Sequence, residues 1–144
     1  VNQDTRPDLD LTFDLDEFED AQTANVVIKH PVTGAPTGMF VTLAGPEHPL
    51  RKKRVMDQQR DFRSKFAKTG KLPQTDPVDD EETSTDLLIA CTFGWKLSFG
   101  GTSLTYSPAA AETLYRDPKR QWLRAQLKVA FDERENFIVR SAAG

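Results

Sequence analysis

One cysteine and two histidines are the only thiol and imidazole groups in 144 residues. A lone Cys91 excludes a disulfide framework within the chain and suits a reducing compartment. Together with His30 and His48 it is too small a set for a four-ligand zinc site. Each histidine precedes a proline, as turn residues do, and no Ser-His-Asp or Cys-His arrangement is suggested around them. No apolar run approaches the roughly 20 residues of a membrane-spanning helix, and no basic-then-apolar leader opens the sequence. The expectation is therefore a protein that is not an enzyme, with no cofactor, no metal, no membrane contact and no secretory signal.

Two weaker patterns point the same way. Asp8, Asp10, Thr12, Asp14, Asp16 and Glu19 fall at the ligand spacing of a calcium loop, but Phe13 stands where that loop needs glycine for its sharp turn. The FGGTS stretch lacks the lysine and the strand-to-helix setting of a phosphate-binding loop, and reads as a hairpin turn at Gly100-Gly101.

Charge is present in blocks. Net charge is −3, yet residues 1–25 carry eight acids against Arg6, and residues 72–87 carry six acids and no base. Between them, residues 47–71 hold nine Lys and Arg, four of them consecutive at Arg51, Lys52, Lys53 and Arg54, against Glu47, Asp57 and Asp61. Blocks of opposite sign attract one another, within a chain or between copies. A basic overall balance, the usual mark of a DNA-binding domain, is missing. The basic stretch is expected to meet carboxylates of its own chain or of a partner rather than nucleic acid.

Apolar spacing gives the outline. Residues 8–16 (DLDLTFDLD) alternate strictly, with Leu9, Leu11, Phe13 and Leu15 on one face and aspartates on the other. That pattern fits an amphipathic strand and equally an acidic arm that docks on another surface. Residues 1–24 are taken as this arm and 25–144 as one domain. NVVIKH and MFVTLA flank a Gly- and Pro-rich octet, so 25–46 reads as a hairpin. Residues 49–69 form a long basic helix with a thin stripe of Leu50, Val55, Phe62 and Phe66, stopped by Gly70. A linker follows at 70–78. Residues 79–140 read as a helical core: an apolar helix ending at Gly94, a short hairpin, a helix opening at Ser107-Pro108, and a last helix from Asp117-Pro118 through Ile138. The fold class expected is α+β and mainly helical, with a small N-terminal sheet and about four helices. Leu88, Trp95, Trp122, Leu127, Phe131 and Phe137 are expected in its core.

Three stretches carry a resemblance. HPVTGAPTGMFVTLAGPEHPLRKKR, DLLIACTFGWKLSF and YSPAAAETLYRDPKRQWLRAQLKVAFDERENFI together resemble the phage tail assembly chaperones, small proteins of siphophage and prophage tail gene clusters. The likeness spans roughly residues 25–140 and rests on packing positions: Gly94, Trp95, Pro108, Leu114, Tyr115, Trp122, Phe131 and Phe137. It implies a protein that binds the tape measure protein, keeps it soluble in the host cytoplasm, yields to the tail tube protein, and self-associates. A structural virion component (head decoration or head-tail connector) is the competing reading, and a small DNA-binding regulator a more distant one. The partner-binding residues expected are Arg51, Lys52, Arg54, Val55, Arg60, Phe62, Arg63 and Phe66 on the basic helix, where a helical client fits an apolar stripe. Leu9, Leu11, Phe13 and Leu15 are the arm-docking set.

Overall fold

The computed structural model describes residues 9–71 and 77–141. A short strand β1 (Phe18–Asp20) leads into the β-branched β2 (Thr23–Lys29). The chain turns through Gly34, whose φ of +74° suits glycine, into β3 (Pro36–Ala44). β2 and β3 pair antiparallel with Val26 opposite Val41, and the Thr37 hydroxyl donates to the Ile28 carbonyl (2.6 Å) where the register slips. The chain then leaves the sheet for α1 (Pro49–Thr69) and α2 (Pro77–Ala90) and returns as β4 (Thr92–Phe99). It reverses at Gly100-Gly101 into β5 (Thr102–Leu104) and finishes with α3 (Pro108–Arg116), α4 (Gln121–Asp132) and β6 (Ile138–Arg140). β2, β3, β4 and β5 make an antiparallel four-stranded sheet in that order, and β6 pairs with β1 in a separate two-stranded ribbon.

This is a mixed α+β fold, which corrects the mainly helical one with a small N-terminal sheet. The difference lies in DLLIACTFGW. The helix there ends at Ala90, and Thr92 opens β4, an inner strand of the sheet. A short apolar run without a polar period fits a buried helix and a buried strand equally, so local spacing cannot choose. Tertiary bonds choose instead. The Ala44 N–H donates to the Cys91 carbonyl (2.8 Å). The Thr92 hydroxyl donates to Leu88 O (2.8 Å), one of the last carbonyls of α2, and accepts from the buried Tyr115 hydroxyl (2.9 Å). Gly94 is consequently no helix stop; it lies in β4 opposite Thr42. The last helix likewise ends at Asp132, not beyond Phe137, because Glu133 is extended (φ −91°, ψ 104°). A 3-10 turn, Arg134–Phe137, then carries the Phe137 ring inward.

The arm expected over 1–24 is shorter: from Phe18 onward the chain belongs to the body through the β1–β6 pairing. Residues 1–8 and most of the expected linker, 72–76, lie outside the described residues. One layer of α2, α3 and α4 covers one face of the sheet. Ile28, Val41 and Leu43 from the strands meet Leu88, Tyr115, Leu127 and Phe131 from the helices, all buried. Arg124 to Glu81 (2.6 Å) and Arg116 to Asp86 tie α4 and α3 to α2.

Candidate functional site

Helix α1 has clear local causes. The His48 imidazole caps its start, Nδ1 accepting from Leu50 N–H (3.1 Å), and Pro49 supplies a preset first φ. Gly70, at φ +65°, closes it with an N–H donated to Phe66 O (2.8 Å). Across its 21 residues no side chain is buried. Such a helix gains little from the core it is attached to.

Its first turn is nevertheless pinned. The Arg51 guanidinium lies 3.6 Å from the centroid of the Phe131 ring and donates to the Ala44 carbonyl (3.0 Å). Burial lowers the pKa of this group, the sign expected when a cation loses water. Lys52 pairs with Glu47, which also receives Arg134 (3.2 Å), and these cations hold the Glu47 carboxyl below its ordinary value, Lys52 first. His48 packs against Phe93 with ring centroids 5.0 Å apart. Of the eight residues expected to bind a partner, Arg51 is therefore a structural anchor, and Lys52 is held by Glu47.

The remaining six lie farther along. Arg54, Arg60, Arg63, Phe62 and Phe66 are exposed and Val55 half-buried, and Arg60 reaches Asp57 only at 3.9 Å. Val55, Gln59, Phe62 and Phe66 follow a spacing of four, three, four, which is that of a coiled-coil seam. The seam runs for about 16 Å at the helical rise. Met56 stands exposed beside it. The acidic segment does not neutralise the basic helix: among the described residues, Glu81 and Asp86 of α2 pair with α4 and α3 instead.

The arm-docking residues stay uncovered. Leu11 is 81% and Leu15 85% exposed, and Leu9 and Phe13 are exposed too, with Phe13 stacked on Phe18. No strand forms at 9–16. Asp10 accepts from the N–H (3.0 Å) and hydroxyl (2.7 Å) of Thr12, and Asp14 accepts from Asp16 N–H (3.0 Å), which turns the segment. The bond from the Thr12 hydroxyl, foremost, keeps the Asp10 carboxyl below its ordinary pKa.

Of the residues assigned to the core, Leu88, Leu127, Phe131 and Phe137 are buried. Trp95 is half-buried, its Nε1–H donating to Leu104 O (2.9 Å) and its ring edge-on to Tyr106. Trp122 departs from expectation. It is 38% exposed on the flank of α4, because the core stripe of that helix runs through Leu123, Leu127 and Phe131. Burial raises the Cys91 thiol, which disfavours the reactive thiolate. Among the described residues, no three His, Cys, Asp or Glu side chains gather as metal ligands, and no helix is long and apolar enough to cross a membrane. What the site offers chemically is an apolar helical seam edged with cations. Comparisons with protein-family models, with curated proteins and with solved structures give no match.

Proposed function

We propose that the chain is an assembly chaperone of the phage-tail kind, holding an amphipathic helix of the tape measure protein along α1 in the host cytoplasm until tail tube subunits displace it. The observation that carries this reading is a 21-residue helix with no buried side chain and a short seam at coiled-coil spacing, apolar at Val55, Phe62 and Phe66 and polar at Gln59. The resemblance of residues 25–140 to tail assembly chaperones supplies the client. A helix with acidic flanks suits the seam, since Arg54, Arg60 and Arg63 stand beside Val55, Phe62 and Phe66.

Co-expression with the tape measure protein tests it. The client is expected in the soluble fraction, co-purifying with the parent chain, and to be lost with Phe62→Asp/Phe66→Asp. Both side chains are exposed, so the variant keeps its fold, which a thermal melt verifies. A client that stays insoluble with the parent chain, or that the double variant holds equally well, overturns the proposal.

A further inference from the structure

β2 is an edge strand, and its free edge is only partly covered. At one end the Gln126 side chain of α4 takes both backbone groups of Lys29, accepting from its N–H (3.0 Å) and donating to its carbonyl (2.9 Å). At the other, Ala21 N–H donates to Phe137 O (2.7 Å). Residues of that parity point their backbone groups away from β3, whereas Gln22 and Ile28 point theirs toward it. Thr23, Asn25 and Val27 therefore present N–H and C=O along the outer edge, with no hydrogen-bond partner among the described residues. This stretch borders a groove of about 790 Å³ between β2 and α4. The opposite wall is a second apolar stripe of α4, Trp122, Ala125 and Val129, the last 59% exposed.

An uncovered edge beside an apolar wall is the geometry of strand addition, in which backbone bonds give affinity and alternate side chains give specificity. The same chain carries a segment with the matching period. Residues 9–15 alternate apolar and polar, and in a single chain their apolar side chains remain exposed instead of filling the groove. Charge agrees as well. β2, β3, β4 and β5 contain no Asp or Glu, and Lys29 and Lys96 are their only cations. A strand added at β2 with Leu9, Leu11, Phe13 and Leu15 toward α4 sets Asp10 and Asp14 on the other face, the one that carries Lys29 on β2 itself and Lys96 two strands on, and away from Glu133 on the α4 side. We infer that the groove between β2 and α4 takes residues 9–15 of a second copy of this chain as an added strand, so that two copies exchange arms. This exchange does not depend on any client at α1.

Light scattering across a concentration series, on the full chain, reads the association. The parent is expected to form dimers. Leu11→Asp/Phe13→Asp in the arm and Val129→Arg in the groove, all at exposed positions, are each expected to raise the dimer dissociation constant by at least about tenfold. Mixing the two variants is expected to restore association, because one keeps an intact groove and the other an intact arm. Amide exchange at Asn25 and Val27 is expected to slow in the parent dimer and to quicken in the arm variant. A parent that is monomeric throughout overturns the proposal, as does a mixture that fails to associate. Exchange at Asn25 and Val27 that ignores the arm also overturns it, since the arm then docks elsewhere.

Discussion

Replacing Arg51 by alanine removes two close interactions at once, besides a longer approach to the Phe137 ring (5.8 Å). One is a guanidinium stacked 3.6 Å from the Phe131 centroid; the other is a 3.0 Å hydrogen bond to the Ala44 carbonyl, at the end of β3. A partly desolvated cation–π contact contributes about 0.5–2 kcal/mol. A hydrogen bond from a charged donor contributes about 1.5–3 kcal/mol. Arg51 is half-buried, so values near the low ends apply, and the expected loss is about 2–3 kcal/mol. Arg51→Lys keeps the charge but loses the planar fork, and is expected to lose roughly half as much. Arg54→Ala, exposed and three residues further on, is expected to stay within about 0.5 kcal/mol of the parent. Urea unfolding followed by circular dichroism gives the comparison, with the midpoint moving and the slope constant. An Arg51→Ala variant as stable as the parent, or an Arg54→Ala variant equally damaged, would refute the division of this cationic run into anchor and open face.

Two further outcomes follow from packing and charge. A Cβ at Gly45 would sit 2.9 Å from the Ala21 carbonyl oxygen and 2.9 Å from the Phe137 ring, so Gly45→Ala is expected to cost about 1–3 kcal/mol in a thermal melt. Gly94 has open space around it, and Gly94→Ala is expected to be neutral; equal damage at both positions would contradict the packing. The Glu47 carboxyl lies below its ordinary value of 4.5 in the folded chain. Its contribution is therefore complete above about pH 4.5 and is lost as pH falls through the lower folded value. Glu47→Gln is expected to flatten the acid limb of stability against pH, and an unchanged limb would remove the Lys52–Glu47–Arg134 group from the account.

Signals that are local were legible in the sequence. The β-branched runs flanking a Gly- and Pro-rich turn gave the β2–β3 hairpin, and Gly70 and Ser107-Pro108 marked helix ends that carry the bonds such residues make. What was hidden depends on residues far apart. The hairpin at Gly100-Gly101 marks the later part of β4, but the strand character of Thr92 to Trp95 comes from pairing with β3 and from the Tyr115 hydroxyl, and nothing within that run announces either. β1 and β6 are three residues each, too short to show a period, and exist through each other. The basic run illustrates the same limit at the site. Arg51 and Arg54 look alike in sequence, and only the position of Phe131 separates the anchor from the open face. The groove beside β2 left no local mark either, since Trp122 and Val129 share the helical spacing of core residues.

The departure of α1 and α2 from the sheet is closed where Ala44 N–H meets Cys91 O. Joining β3 to β4 thus requires the chain to close a loop that contains both helices. The entropy of such closure grows only with the logarithm of loop length, about 0.6 kcal/mol for each doubling. Extra residues in this connection therefore add little to the entropy of closing it. No core position registers the change, because α1 buries no side chain. Side-chain burial therefore does not fix the length of this helix; each added turn moves its end by about 5.4 Å, a distance the chain returning to α2 has to span.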